Sequence, residues 1–178
     1  MNNFSVLDLL ARYEKSGHIT PDEHESIARF KQLLASRPDC FGRQPGGHIT
    51  SSAWIINPAG NAALLTHHKK LNKWFQLGGH CDDNPDAVAG ALREAQEESG
   101  IQHFNIISPG IFDIDIHALP NVCAWHYDVR ILLQATSDEI VVSDESHDLA
   151  WVPFDQMERY SSEDSVLRMN KKYKENLW

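Results

Sequence analysis

Gly78-Gly79-His80-Cys81-Asp82-Asp83-Asn84-Pro85, followed after a short apolar run by Arg93-Glu94-Ala95-Gln96-Glu97-Glu98-Ser99-Gly100-Ile101, is the stretch on which the reading of this chain turns. Asn84 is a residue that caps helices, Pro85 suits a first helical position because its missing N–H is not needed there, and Gly100 suits the left-handed residue that ends a helix. The spacing therefore predicts a helix over about 85 to 99, entered from a tight glycine turn at Gly78-Gly79-His80. Val88, Ala91, Leu92 and Ala95 recur at helical spacing and are expected to face the core, while Ala89 and Gly90 permit close approach of a neighbour. At about 100° per residue, Glu94, Glu97 and Glu98 fall in one wedge beside the apolar stripe. Such clusters are often a solvated face, with Arg93 pairing Glu97 at i+4 for a few tenths of a kcal/mol. Next to a glycine turn that can offer a backbone carbonyl, three carboxylates also match what a hard divalent cation wants: oxygen ligands, with positions left for phosphate and water.

These residues resemble the Nudix hydrolases (MutT-like superfamily), whose box reads G-x5-E-x7-R-E-U-x-E-E-x-G-U with U a bulky apolar residue. Gly79 takes the first glycine, and Arg93, Glu94, Glu97, Glu98, Gly100 and Ile101 take their places, with Ala95 smaller than the usual apolar residue. Pro85 stands where the family carries an upstream Glu; Asp82, Asp83 and Asp86 are the nearest carboxylates. In the family that Glu helps orient the Arg and the first Glu of the helix. The resemblance continues in Asp144-Glu145-Ser146-His147-Asp148-Leu149-Ala150-Trp151-Val152-Pro153, where an acidic residue before the tryptophan reaches the metals or the attacking water. Glu145 is that candidate, with Asp144 as the alternative and an exposed loop carboxylate as the plain reading.

The resemblance implies an α/β fold, a Nudix-like α/β/α sandwich with a mixed central sheet, covering about residues 45 to 160. It implies a metal-dependent pyrophosphohydrolase of nucleotide metabolism that cleaves the diphosphate linkage of a nucleoside diphosphate joined to X, or of a related phosphorylated metabolite. Metal ligands on this reading are Glu94, Glu97, Glu98 and the carbonyl of Gly79 (or Gly78), holding Mg²⁺ or Mn²⁺; the catalytic residues are Glu94, Arg93 and Glu145. Two alternatives stand beside it. One is a non-catalytic Nudix module that binds a nucleotide or a protein, favoured by Pro85. The other is an isoprenoid diphosphate isomerase, a branch that uses a cysteine near a Gly-His pair, here Cys81 after His80.

Basic and histidine-rich residues lead toward the glycines: His67, His68, Lys69, Lys70 and Lys73 read as a solvated hairpin end or as a grip on phosphate. Lys69, Lys73 and His80 are the substrate-binding candidates, with loop-shaping the other reading of His80. His117 and His126, in strands, read as structural, and Trp54, Trp74, Trp125 and Trp151 as buried strand residues.

The remaining chain agrees with one enzyme-sized fold. Its 178 residues are 42% hydrophobic, enough to bury one core. A net charge of −9 argues against a nucleic-acid backbone or an anionic membrane as partner, whereas metals can reverse the local sign for a phosphate substrate. The three cysteines lack a CxxC pair, so neither a disulfide framework nor a structural zinc is expected, and a reducing cytoplasm is the default. No apolar run approaches the roughly 18 residues of a membrane span, and the N-terminus leads into a charged amphipathic helix rather than a signal peptide.

Val6, Leu9, Leu10 and Tyr13 predict a first helix, and Thr20-Pro21-Asp22-Glu23 is a capping box that opens a second. These make an N-terminal helical extension over 1–44, with the Nudix domain over 45–178; the helices could cover the site, build a homodimer or extend the core. Strands are expected at about 48 to 56, 62 to 67, 73 to 77, 111 to 117, 122 to 135 and 148 to 153, with hairpin turns at Asn57-Pro58-Ala59-Gly60-Asn61 and Leu119-Pro120-Asn121. A last helix is expected from about 163 to 176.

Overall fold

The computed structural model describes residues 5–17, 19–108, 110–119 and 123–178. Two N-terminal helices are each closed by a capping box. In α1 (Val6–Tyr13), Ser5 Oγ accepts from Asp8 N–H and the Asp8 carboxylate accepts from Ser5 N–H. In α2 (Pro21–Ser36), Thr20 and Glu23 do the same, as the sequence predicts, and Pro21 sits in the first turn.

Then follow β1 (His48–Ile56), β2 (Ala62–His68), β3 (Lys73–Phe75), β4 (Leu77–His80), α3 (Ala87–Ser99), β5 (Phe104–Ile106), β6 (Asp113–Leu119), β7 (Cys123–Ala135), β8 (Ser146–Pro153), α4 (Met157–Tyr160) and α5 (Asp164–Lys174). The strands form one mixed sheet. Its spine runs β3-β2-β1-β7-β5, with β4 also pairing β1, β6 pairing β7 and β8 pairing β2. Only β1 and β7 run parallel; the other pairs are antiparallel. Every residue of β1 is buried, as befits a strand with partners on both edges and helices over both faces.

Alternation along the strands divides the core in two. Ile49, Ala53 and Ile55 of β1 and Val129, Ile131 and Leu133 of β7 pack with α1, α2 and α3. Trp54, Ile56 and Leu132 point the other way, onto Met157 of α4 and Val166 and Met169 of α5. This is the α/β/α sandwich expected from the sequence. On the second face the character changes along each strand: His48, Thr50 and Ser52 precede Trp54 and Ile56 in β1, and His126, Asp128 and Arg130 precede Leu132 in β7. Half of that face is therefore core and half is polar.

The N-terminal helices share the larger core through Val6, Leu9, Leu10, Ile27 and Phe30. They are also tied in by a buried ion cluster: Lys172 of α5 donates to Glu23 of α2, Tyr13 of α1 and Asp113 of β6, and Arg130 and Arg168 pair with Asp113 and Asp115.

Several expected boundaries move. The strand expected at 73 to 77 breaks at Gln76 into β3 and β4, and Gly78-Gly79-His80 is the end of β4, paired with Ser52, Ser51 and Thr50, instead of a turn. The tight turn comes next, with Asp82 and Asp83 both left-handed. Helix α3 starts at Ala87: Asn84 Oδ1 accepts from Asp86 N–H, and Asp86 is the true cap, accepting from Val88 and Ala89. The Asn57–Asn61 turn forms as expected, with Gly60 N–H donating to the Asn57 carbonyl. Pro120 and Asn121 of the other expected turn lie outside the described residues. Among the described residues no helix is long and apolar enough to cross a membrane.

Candidate metal and phosphate site

Helix α3 is pressed against β1 by its small residues. Ala87, Ala91 and Ala95 are fully buried, Ser51 Oγ donates to the Ala87 carbonyl, and a β-carbon at Gly90 would lie 3.2 Å from Ser51 Cβ. Gly100, with φ of 74°, ends the helix in the left-handed conformation. That seating turns Glu94 and Glu98 inward, 9% and 8% exposed, and leaves Glu97 at the surface.

Gly79 is what admits Glu94. A β-carbon there would meet the Glu94 carboxylate at 2.7 Å, so the bare backbone of β4 lets the carboxylate lie directly against the strand. Burial, with repulsion from Glu97 and against the pull of Arg93, pushes the Glu94 carboxyl up to about 7. Glu98 is pushed up to about 8, first by burial and then by Glu94 and Glu145, with the Gly78 backbone pulling the other way. Its Oε2 is buried with no partner among the described residues. Two crowded, half-neutralised carboxyls and an orphaned oxygen are a donor set that a hard divalent cation fits.

Arg93 binds the cluster together. Its Nη2 lies 2.7 Å from Glu94 Oε1 and 2.6 Å from the His80 carbonyl, its Nη1 lies 2.9 Å from Glu97 Oε2, and Asp82 Oδ2 approaches to 3.4 Å. Asp82 approaches Arg93 from the left-handed turn, whereas Pro85 in the helix approach offers no carboxylate.

Beside these residues opens a cleft of about 920 Å³, a volume suited to a nucleotide-sized ligand, with Glu98 set behind its lining. Gly79, Arg93, Glu94 and Glu97 line one wall and Glu145 another. Glu145 is exposed and held by the backbone, its carbonyl accepting from Lys69 N–H at 3.2 Å. The floor is the polar half of the sheet face, where Asp128 accepts from Thr50 and Ser52 and pairs with the buried Arg130.

The cationic lining differs from the expectation. Lys69 Nζ donates to the Asp144 carbonyl at 2.6 Å and Lys73 Nζ pairs with Glu163 at 2.7 Å, and neither residue lines the cleft. Lys70, Arg43 and Arg168 do. The strand register accompanies the change: β2 and β3 pair antiparallel with His68 opposite Lys73, and the connection between them sets the exposed Lys70 at the cleft. His80 lines the cleft and also shapes the loop through its carbonyl. His126 and His117, expected to be structural, line it too. Cys81, at 1% exposure, is a thiol pushed up to about 12 by burial and the nearby Asp128 charge, which suits packing and not proton transfer to an isoprenoid. Arg43, Asp128 and the histidines carry no local sequence signal, since sheet pairing alone brings them together.

The model of the NUDIX domain matches residues 46–172, more than half of the chain. Among solved structures, a NUDIX-family hydrolase from Clostridium perfringens superposes with a TM-score of 0.63 at 22% identity, covering 72% of this chain and 97% of that one. An Ap4A hydrolase from C. elegans gives 0.63 at 18% identity, with 72% and 96% covered. The E. coli dihydroneopterin triphosphate pyrophosphohydrolase gives 0.59 at 12%, with 76% and 98% covered. At these identities the superpositions speak for the fold. No curated protein matches the chain significantly by sequence.

Proposed function

The chain belongs to the Nudix hydrolase family, as a pyrophosphohydrolase, and from that premise we propose that it cleaves the diphosphate linkage of a nucleoside diphosphate joined to X, or of a related small phosphorylated metabolite. The observation that carries this reading is the carboxyl pair of α3: Glu98 with one orphaned, buried oxygen, and Glu94 set against the bare backbone of Gly79.

Glu94, Glu97, Glu98 and the Gly79 carbonyl would hold Mg²⁺ or Mn²⁺, which when bound neutralises diphosphate oxygens and acidifies water. The chain's own residues do the rest. Arg93 fixes Glu94 and Glu97 through its planar fork, so their oxygens need little reorganisation. Lys70 and Arg43 offset the negative charge of a diphosphate along the cleft. Glu145, on the solvent side, accepts the proton of the water that attacks phosphorus in line as the anhydride P–O bond breaks; base catalysis of this kind adds about 10² to 10⁴-fold. A purely binding module would have no use for a repulsive, buried carboxylate pair, and Asp82 brings a carboxylate to 3.4 Å from Arg93 in a chain that has Pro85 in the helix approach.

The test is release of phosphate or nucleotide from ADP-ribose, NADH, dinucleoside polyphosphates, CoA and nucleoside triphosphates with Mg²⁺ or Mn²⁺. One class is expected to turn over, and Glu98→Gln to lower kcat by at least about 100-fold. No turnover across the panel, or a fully active Glu98→Gln, would overturn the assignment.

A further inference from the structure

Three imidazoles far apart in sequence meet in the cleft. The parallel pairing of β1 and β7 sets His48 opposite His126, and the antiparallel pairing of β1 and β4 sets His80 opposite Thr50, two residues on from His48 and on the same face of the sheet. One ring nitrogen from each of His48, His80 and His126 lies within 4.8 Å of the others. The rings are in mutual contact, with centroids 5.1 Å apart for His48 and His80, 4.8 Å for His48 and His126, and 5.2 Å for His80 and His126.

His48 shows what the cluster lacks. It is 1% exposed, and its Nδ1 faces Gln44, 3.3 Å from the carbonyl and 3.4 Å from the amide nitrogen. Its Nε2 is buried with no partner among the described residues. Donating Nδ1–H to the Gln44 carbonyl leaves Nε2 as a bare lone pair, the arrangement in which a metal-ligating histidine is held by its other ring nitrogen. Each of the other two imidazoles likewise has two nitrogens and can keep one partner while ligating through the other. Beside His126 stands His117, its ring centroid 5.3 Å away and its Nδ1 2.9 Å from Asp115 Oδ2.

We propose that His48, His80 and His126 form a transition-metal site, with Zn²⁺ as its ion, separate in ligand chemistry from the glutamates of α3. Three neutral nitrogens suit a borderline-soft ion and give no preference to Mg²⁺, whereas the oxygen donors of α3 have the opposite selectivity. Zinc–nitrogen bonds near 2.0–2.1 Å place tetrahedral ligand atoms about 3.3 Å apart, so the three nitrogens close by side-chain rotation of roughly 1 Å. All three residues line the cleft, which leaves the remaining coordination position to water or to a phosphate oxygen of the occupant. The proposal concerns metal binding alone and does not depend on the hydrolase reading.

The test is titration of the full chain, in excess Mg²⁺, with Zn²⁺ by calorimetry and with Co²⁺ by visible absorption. One Zn²⁺ per chain is expected, with a Co²⁺ spectrum of low coordination number that Zn²⁺ displaces. His48→Ala and His126→Ala are expected to weaken binding by more than about 100-fold, and Glu98→Gln to leave it unchanged. Should the alanine variants fail to fold, imidazole ¹⁵N resonances of the parent protein decide: Zn²⁺ is expected to shift those of His48, His80 and His126. Absence of one-to-one binding in Mg²⁺, binding lost in Glu98→Gln but kept in the histidine variants, or imidazole resonances indifferent to Zn²⁺ would each overturn the proposal.

Discussion

Gly79→Ala separates the fold from the site more sharply than any other single change. The added β-carbon would sit 2.7 Å from Cδ and Oε2 of Glu94 and 2.8 Å from Oε1, so the carboxylate must retreat by about 0.7 Å to reach ordinary contact. Glu94 is the far end of a flexible side chain and can retreat. Alanine also lowers the conformational entropy lost on folding, so stability is expected to change by no more than about 1 kcal/mol. The working position of the carboxylate has no such latitude: it is held 2.7 Å from Arg93, and a displacement approaching 1 Å costs about 100-fold in kcat. The measurement is steady-state hydrolysis at saturating metal beside urea unfolding followed by tryptophan fluorescence. Gly110→Ala, whose β-carbon would find its nearest neighbour at 3.8 Å, is the silent control. Because both changes act through one carboxylate, Gly79→Ala added to Glu94→Gln is expected to cost little more than Glu94→Gln alone. A Gly79→Ala enzyme with parental kcat would refute the role given to Glu94, and a loss of more than about 3 kcal/mol in stability would refute the local displacement argument.

Lys172→Met is expected to cost about 3–5 kcal/mol in urea unfolding, because Glu23 is left buried without its cation, and Glu23→Gln in the same chain is expected to recover part of that loss. Acid titration of stability should show the same carboxyl. Burial works to raise it, but hydrogen bonds from Lys172, Thr20 and Tyr13 outweigh burial and hold it at about 2 against an ordinary 4.5. Its contribution is thus complete above pH 4.5 and lost as pH falls through 2, a slope that Glu23→Gln should flatten. Asp82→Ala should alter stability by less than about 1 kcal/mol, since the Arg93 pair is long and exposed, whereas Arg93→Lys, which loses the fork joining Glu94, Glu97 and the His80 carbonyl, should lower kcat far more than Asp82→Ala does.

What could be read from the sequence was what local spacing encodes. The glutamates of α3, its glycine end, the Thr20 capping box and the long strands β1 and β7 all announce themselves within a few turns or alternations. The helix start was displaced because Asn84 and Asp86 are both capping residues, and only the geometry shows that Asn84 closes the preceding turn. Strand β5 and helix α4 escaped notice because three or four residues are too few for periodicity to register. The histidine trio, the Arg130 cluster and the place of Lys70 at the cleft depend on which strands pair and in what register. That information is spread over separations such as the 78 residues between Thr50 and Asp128.

The bond between Lys172 and Glu23 spans 149 positions. Glu23 of α2 is therefore neutralised only when α5 is in place, so the seating of α1 and α2 on the sheet depends on a contact of high sequence separation. Helix α5 works as a latch on α1 and α2. A deletion that removes it should loosen α1 and α2 first, at the opposite end of the sequence, which hydrogen exchange of their amides would reveal as lost protection.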